Sequence, residues 1–182
     1  MTGDLTAVRP RRSLIENEVR RILTRCGTLE SAVDLTWVVM LLGFEYCEVN
    51  AGGEGHDSVI TTDARSNRPA VIVNVDRPPA SRRYSLAHQL CHARLHGYPQ
   101  VLESNIRPPE HWRTLEQDPS YVENVYEAEA AIFAVSLLIP HSLLKSKPRR
   151  DLKPFLVEKL AEEFRVPVAA FIPAYNAFLK KI

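Results

Sequence analysis

Apolar positions near the amino terminus recur at the spacing of an α-helix and predict a first helix. They include Leu14, Ile15, Val19, Ile22 and Leu23. Ser13 and Glu16 form a capping-box signature, and Gly27 stands where a helix would end. A second helix is predicted to begin after Asp34 as its N-cap, and its apolar run 37–42 ends at Gly43.

Between residues 44 and 75 the pattern changes to short segments rich in β-branched and aromatic residues. The segments 44–49, 59–62 and 70–75 are separated by stretches that contain glycine, asparagine, aspartate and proline. This pattern is typical of strands joined by turns. We therefore predict three strands, with meander order as the simplest arrangement.

Helical spacing returns in the second half of the chain. It predicts helices over 81–96, 121–138, 151–165 and 167–180. The segment 97–120 contains four prolines and is predicted to be a long irregular connection. The expected fold class is α+β: a small three-stranded sheet packed against a mainly helical domain with a C-terminal helix pair. We divide the chain into a tail (1–12), a main domain (13–146) and a helix-turn-helix-like pair packed on that domain (147–182).

Composition narrows the classes of function. The chain has 182 residues and a formal net charge of +1, which provides no long-range field to attract nucleic acid or an anionic membrane. No apolar run approaches the roughly 20 residues of a transmembrane helix, and the amino terminus lacks the apolar segment of a secretory signal. The three cysteines include no CxxC pair, which fits a reducing compartment. We expect a cytoplasmic protein.

The helix predicted over 81–96 carries the candidate chemistry. His88 and His92 are four residues apart, so they project about 40° apart and about 6 Å along the axis, and both imidazoles can reach one tetrahedral ion such as Zn²⁺. An isolated HxxxH also occurs by chance. His96 lies about 12 Å along the axis from His88, so we interpret it as an outer residue or a helix end. Cys91 projects away from the pair and is predicted to be a small buried residue.

A third ligand must come from another element, and the predicted helix 121–138 offers Glu123, Glu127 and Glu129. Glu127 shares its helical face with Ala130, Ala131, Ala134 and Leu138, and small residues allow a close approach to another backbone. Glu129 points almost the opposite way and is predicted to be solvated. The alternative is that Glu123 and Glu127 only form a solvated acidic face.

Four ordered segments together resemble the ImmA/IrrE family of metallopeptidases. RRYSLAHQLCHARLHG resembles the family's HExxH helix followed by a further histidine, and VYEAEAAIFAVSLLIP resembles its second signature, an ExEA stretch leading to Phe-Ala and a final proline. AVDLTWVVMLLGFEYCEV and LVEKLAEEFRVPVAAF extend the similarity over about residues 30–175. The resemblance implies a zinc-peptidase-like domain, with His88, His92 and Glu127 as ligands of Zn²⁺. It also implies a cytoplasmic endopeptidase that cleaves a helix-turn-helix transcriptional repressor.

The chain departs from the family pattern at the catalytic position. Where the family has the general base Glu, this sequence has Gln89. A carboxamide cannot accept a proton at neutral pH, and loss of a general base costs about 10²- to 10⁴-fold in rate. We therefore expect a nearly inactive enzyme, either a naturally degenerate peptidase or one carrying a deliberate Glu-to-Gln change, and we favour the second because the other signature residues are intact.

Three more residues are candidates for the surroundings of the metal. His96 is one, and Ala131 replaces the Asn or Asp that related zinc peptidases use to orient a ligand, a loss that can weaken affinity about 10- to 100-fold. Tyr126, like Tyr121, could donate to a developing oxyanion, although a buried aromatic role is the simpler interpretation.

Two rival functions are also compatible with the sequence. One is a catalytically dead, protein-binding regulator that retains the peptidase fold. The other is a DNA-binding regulator, because residues 160–181 have the outline of a helix-turn-helix. The second helix of that pair offers mainly Val, Ala, Phe and Ile where a recognition helix needs polar or basic side chains. We therefore interpret the pair as a packing or partner-docking element.

Overall fold

The computed structural model describes residues 9–27, 32–52, 57–63, 65–96, 102–104, 122–147 and 152–180. Over this part of the chain the fold is mainly helical with one small mixed sheet. This confirms the predicted α+β class. Within the described residues, no helix combines the length and the apolar character needed to cross a bilayer.

The sheet contains the three predicted strands and one more. Strands β1 (Glu45–Val49), β2 (Ser58–Thr62), β3 (Pro69–Asn74) and β4 (Leu102–Ser104) lie in the order β1-β3-β2-β4. β3 is antiparallel to β2, and β2 is antiparallel to β4, but β1 and β3 are parallel.

The predicted meander order is therefore wrong. In β3, Ala70, Val71 and Val73 are at most 3% exposed, whereas most of β1 is exposed or half-buried. A strand with an almost continuous apolar run is best placed in the interior of a sheet, because neighbouring elements cover both of its faces. The connection predicted over 97–120 also contributes β4, and its other residues lie outside the described part of the chain.

The first two helices form close to their predicted positions. Helix α1 (Arg12–Cys26) buries Ile15, Val19 and Ile22. The predicted capping box is wrong, because the N-cap of α1 is Arg11, two residues before Ser13, and no side chain caps the helix there by a hydrogen bond. In helix α2 (Leu35–Leu41) the Asp34 carboxylate accepts a hydrogen bond from the backbone of Trp37, as predicted.

Helix α3 (Pro79–Leu95) lies at the centre of the molecule, between the sheet and the later helices. It begins at a proline, which suits the first turn because that turn's N–H groups have no intrahelical partner. Its segment from Tyr84 to His92 is buried without interruption. The hydroxyl groups of Ser85 and of Ser58 in β2 form a buried hydrogen bond. At the surface, Arg94 forms an ion pair with Glu18 of α1, which also pairs with Arg21.

The second signature forms helix α4 (Val122–Leu138), which packs against both α3 and α1. After the short helix α5 (His141–Leu144), helices α6 (Pro154–Phe164) and α7 (Val168–Lys180) form the C-terminal pair. Arg165, at φ 54°, ends α6 in the left-handed conformation, and stacked rings of Phe164 and Phe171 join the two helices. α7 also packs against α4, so the helices of the two sequence signatures and the C-terminal pair share one core.

Candidate metal centre

Two imidazoles of α3 meet on the side of the helix that faces α4. His88 and His92 are 9% and 3% exposed, and their Nε2 atoms are 3.0 Å apart. One helical turn separates them, so the rings lie one above the other on the same face. Tyr84, one turn before His88, is buried in the same row, with its ring centroid 6.3 Å from that of His88.

A carboxylate from α4 joins the histidine pair. Glu127 Oε2 lies 3.1 Å from His88 Nε2, and its Oε1 lies 3.3 Å from His92 Nε2. The side chain is 50% exposed, so this side of the cluster is open to solvent. Among the described residues, these three form the group of potential ligands able to surround one ion, with all ligand atoms within 4.8 Å of one another.

The donor set fits zinc in its chemistry and its dimensions. Bonds of about 2.0–2.1 Å place the ligand atoms of a tetrahedral ion about 3.3 Å apart, close to the separations of 3.0, 3.1 and 3.3 Å found here. Two imidazoles and one carboxylate also leave a fourth position open, the arrangement of catalytic rather than structural zinc sites.

Protonation states also favour metal binding. Burial lowers the pKa of His88 below its ordinary value, so the neutral ring with a free lone pair is favoured. Burial alone raises the pKa of Glu127, but hydrogen bonds from His88 and His92 outweigh burial and hold that pKa well below the ordinary value. Metal ligands must be deprotonated, and at neutral pH these two groups are.

Gln89 follows His88 directly and is completely buried. Neither its amide nitrogen nor its amide oxygen has a hydrogen-bond partner within the part of the chain that the structure describes. A buried polar group without a partner costs about 1–3 kcal/mol. Gln89 therefore has unused hydrogen-bonding capacity at the position directly after His88.

The prediction for Glu129 is wrong. Its side chain is fully buried rather than solvated, and it pairs with Arg11 and with His96. The error arises because α4 is covered on two sides, by α3 and by α1, so a residue pointing away from Glu127 still points into protein. Burial raises the pKa of Glu129, but the bonds from Arg11 and His96 lower it to about 2.

His96 lies at the end of α3, where it is the C-cap residue. Its Nδ1 is 2.9 Å from Nδ1 of His92, on the opposite side of that ring from Glu127. His96 thus contacts a member of the cluster but does not belong to the set of potential ligands. Burial lowers its pKa, which favours the neutral ring.

The remaining candidates are placed as follows. Tyr126 is 39% exposed and stacks on His96 at 4.4 Å between centroids, so the buried aromatic role is wrong. Ala131 is buried and provides no polar group. Cys91 is completely buried as predicted, and burial raises the pKa of its thiol. The side chains of Glu123 and Tyr121 lie outside the described residues.

Sequence reasoning missed Arg11 altogether. Its backbone N–H and its guanidinium both donate to Glu129, 118 residues away. No local pattern indicates such a long-range pair. Tyr84, in contrast, could have been identified as part of the site because it lies four residues before His88 on the same helical face.

Both the sequence and the fold are similar to those of known proteins. Residues 46–172 match the peptidase family described as the IrrE N-terminal-like domain. No curated protein matches the chain. Among solved structures, a Mycobacterium tuberculosis transcriptional regulator is similar, with a TM-score of 0.52 and 14% sequence identity. The similarity covers 86% of this chain but 45% of the regulator, so this chain spans less than half of that protein. Because the family match extends over more than half of the sequence, the protein belongs to the IrrE N-terminal-like domain family and has an ImmA/IrrE-type metallopeptidase fold.

Proposed function

We propose that this protein is a zinc endopeptidase of the ImmA/IrrE type, strongly impaired because Gln89 occupies the position of the general base. The convergence of His88, His92 and Glu127 on one point supports this proposal more than any other observation. Zinc, when bound by these three side chains, supplies a Lewis acid that polarises a peptide carbonyl and acidifies water. The substrate that the family resemblance favours is a helix-turn-helix repressor in the cytoplasm.

The residues of the site have separate roles in this proposal. The two imidazoles and the Glu127 carboxylate hold the cation, and the exposed side of Glu127 leaves a path for a polypeptide from solvent. The Gln89 amide can orient a water or a peptide group by hydrogen bonding, but it cannot take up a proton. Binding of the cation and of a polypeptide is therefore retained, while the uptake of a proton by residue 89 is lost.

The first test is metal binding. We expect the purified protein to bind one Zn²⁺ in competition with a chromophoric chelator, and Glu127→Ala and His88→Ala to lose that binding. Glu158→Ala, which removes an exposed carboxylate on α6, is the matched control and should bind as the unchanged protein does. Absence of stoichiometric zinc binding by the unchanged protein would refute the proposed metal centre.

The second test restores the base. Gln89→Glu should raise the cleavage rate by about 10²- to 10⁴-fold, measured first on a mixture of quenched fluorogenic peptides. The same variant is then incubated with a protein extract of the source cells, and new amino termini are identified by terminal labelling. Peptides released by Gln89→Glu but not by the double variant Gln89→Glu, Glu127→Ala identify substrates, which we expect to include a helix-turn-helix repressor.

Two regulatory functions are the alternatives. A dead peptidase that only binds a partner predicts that Gln89→Glu binds zinc and yet releases no new termini. A DNA-binding regulator predicts an electrophoretic shift with DNA at low salt. The solvent side of α7 argues against DNA binding, because it consists of Val168, Ile172, Asn176 and Ala177, with one cation at Lys180.

A further inference from the structure

A chain of polar contacts connects the amino-terminal segment to the back of the metal centre. The Glu129 carboxylate is fully buried and receives three strong donors from Arg11: the backbone N–H at 2.7 Å, Nε at 2.9 Å and Nη2 at 2.6 Å. Charge-assisted, forked contacts of this kind fix orientation as well as charge. Arg11 also reaches the carbonyl of Leu95 at 3.4 Å, so the same guanidinium contacts the last turn of α3.

The contacts continue from Glu129 through His96 to His92. His96 Nε2 lies 2.9 Å from Glu129 Oε2, and His96 Nδ1 lies 2.9 Å from His92 Nδ1. Both histidine side chains are 3% exposed. The plane of His96 is fixed from the side by Tyr126, which stacks on it, and the Arg11 guanidinium carbon is 5.9 Å from the centre of the Tyr126 ring.

The donors and acceptors in these contacts indicate the tautomers of His96 and His92. An ionised carboxylate only accepts, so Nε2 of His96 must donate to Glu129. A neutral imidazole carries one proton, so Nδ1 of His96 is an acceptor and Nδ1 of His92 must donate to it. A cation bound at Nε2 of His92, the atom that faces His88 and Glu127, leaves that ring its proton on Nδ1, so the contact with His96 suits the metal-binding tautomer.

We propose that Arg11 is a positioning residue for the metal centre: through Glu129 and His96 it holds the His92 ring in the orientation and tautomer that binds a divalent cation. Partners behind ligating histidines raise affinity by fixing tautomer and ring orientation. Arg11 lies outside the family-matched residues 46–172, so a segment beyond that domain contributes to the metal centre. The proposal rests on the zinc site proposed above and assigns it an additional requirement.

The variants are Arg11→Ala, Arg11→Lys and Glu129→Gln, with Arg21→Ala as the matched control. Arg21 forms an exposed ion pair with Glu18 on the outer surface of α1, so its loss removes an arginine–carboxylate pair without touching the chain of contacts. Zinc dissociation constants are measured by chelator competition, and the unfolding free energy of each metal-free protein is measured in urea. Arg11→Ala should weaken zinc binding by about 10- to 100-fold, Arg11→Lys by less, and Arg21→Ala not at all.

A second readout does not depend on activity or on stability. Long-range ¹H–¹⁵N spectra of the zinc-bound protein, recorded at about pH 8, above the ordinary imidazole pKa, should show His92 protonated on Nδ1 and His96 on Nε2. Glu129→Gln should make the protonation of His96 less specific, because the new amide can donate to that ring as well as accept from it. A merely structural role for Arg11 predicts lower stability with unchanged tautomers and unchanged zinc affinity.

The outcomes separate the two proposals. Failure of the unchanged protein to bind zinc overturns the proposed function. If it binds zinc, and Arg11→Ala binds as tightly as Arg21→Ala, the positioning inference is overturned while the metal centre stands. A zinc-bound unchanged protein in which Nδ1 of His92 or Nε2 of His96 carries no proton also overturns the inference.

Discussion

Replacement of Gln89 by methionine should stabilise the metal-free protein. Gln89 is fully buried, and both of its amide atoms lack partners among the described residues. Each unsatisfied buried group costs about 1–3 kcal/mol. Methionine is unbranched, of similar length and without strong polar atoms, so the change removes the penalty without opening a cavity. We expect Gln89→Met to raise the free energy of unfolding by about 1–3 kcal/mol.

The assay is urea denaturation followed by tryptophan fluorescence, with EDTA and then with excess zinc. Leu90→Met is the matched control, since Leu90 is the next residue of α3 and is equally buried; it measures the cost of placing methionine in this core, typically below about 1.5 kcal/mol. With zinc, the advantage of Gln89→Met should shrink, because a solvent molecule at the open coordination position gives the amide a partner.

Two results would contradict this reasoning. A metal-free Gln89→Met protein less stable than Leu90→Met would mean that the amide makes hydrogen bonds in solution. If Gln89→Met is stabilising by the same amount with and without zinc, the Gln89 amide does not interact with the metal centre. The amide would then also not contact solvent bound there, although it occupies the position of the family's Glu.

Three further predictions concern stability and can be checked by urea denaturation. Phe133→Ala removes a fully buried ring of α4 and should cost about 3–5 kcal/mol, whereas Phe155→Ala, at a side chain 70% exposed, should change stability by less than about 0.5 kcal/mol. Asp34→Ala removes the cap of α2 and should cost about 1 kcal/mol, while Asp34→Asn retains most of it. Burial raises the pKa of Glu18, but its two arginine partners lower it below 4.5 overall. Its ionised form therefore stabilises the fold above that pH, so the deficit of Glu18→Gln should be largest at neutral pH and disappear on acidification below pH 4.5. A stability deficit of Glu18→Gln that grows in acid would mean that the pKa of Glu18 is shifted in the opposite direction.

Local signals were sufficient to predict most helices and the placement of the cluster. His88 and His92 meet because four residues make one helical turn, and that spacing is visible in any sequence. Glu127 was singled out by the small residues on its face, and the structure brings its carboxylate to the histidines. Asp34 is a similar case, since a cap acts within one turn of its own helix.

Long-range features could not be predicted in the same way. The apolar run of β3 suits the interior of a sheet, but it does not determine that β1 is one of its neighbours or that the two strands run parallel. Glu129 was misplaced because its partner, Arg11, is 118 residues away and because α1 covers the face that a single helix would leave in water. Helical periodicity shows which residues share a face of a helix, but it does not show how many of those faces other elements cover.

The order of the sheet has a kinetic consequence. β2 and β3 form a hairpin whose turn begins at Asp63, with Asp63 N–H bonded to the carbonyl of Arg68 at 2.8 Å, so this pair can form early at low loop-closure entropy. β1 adds to the far edge of β3 in parallel and must close a longer stretch of chain, so it joins later. Substitutions in β3 should therefore slow refolding, whereas substitutions at Tyr46 in β1 should mainly accelerate unfolding.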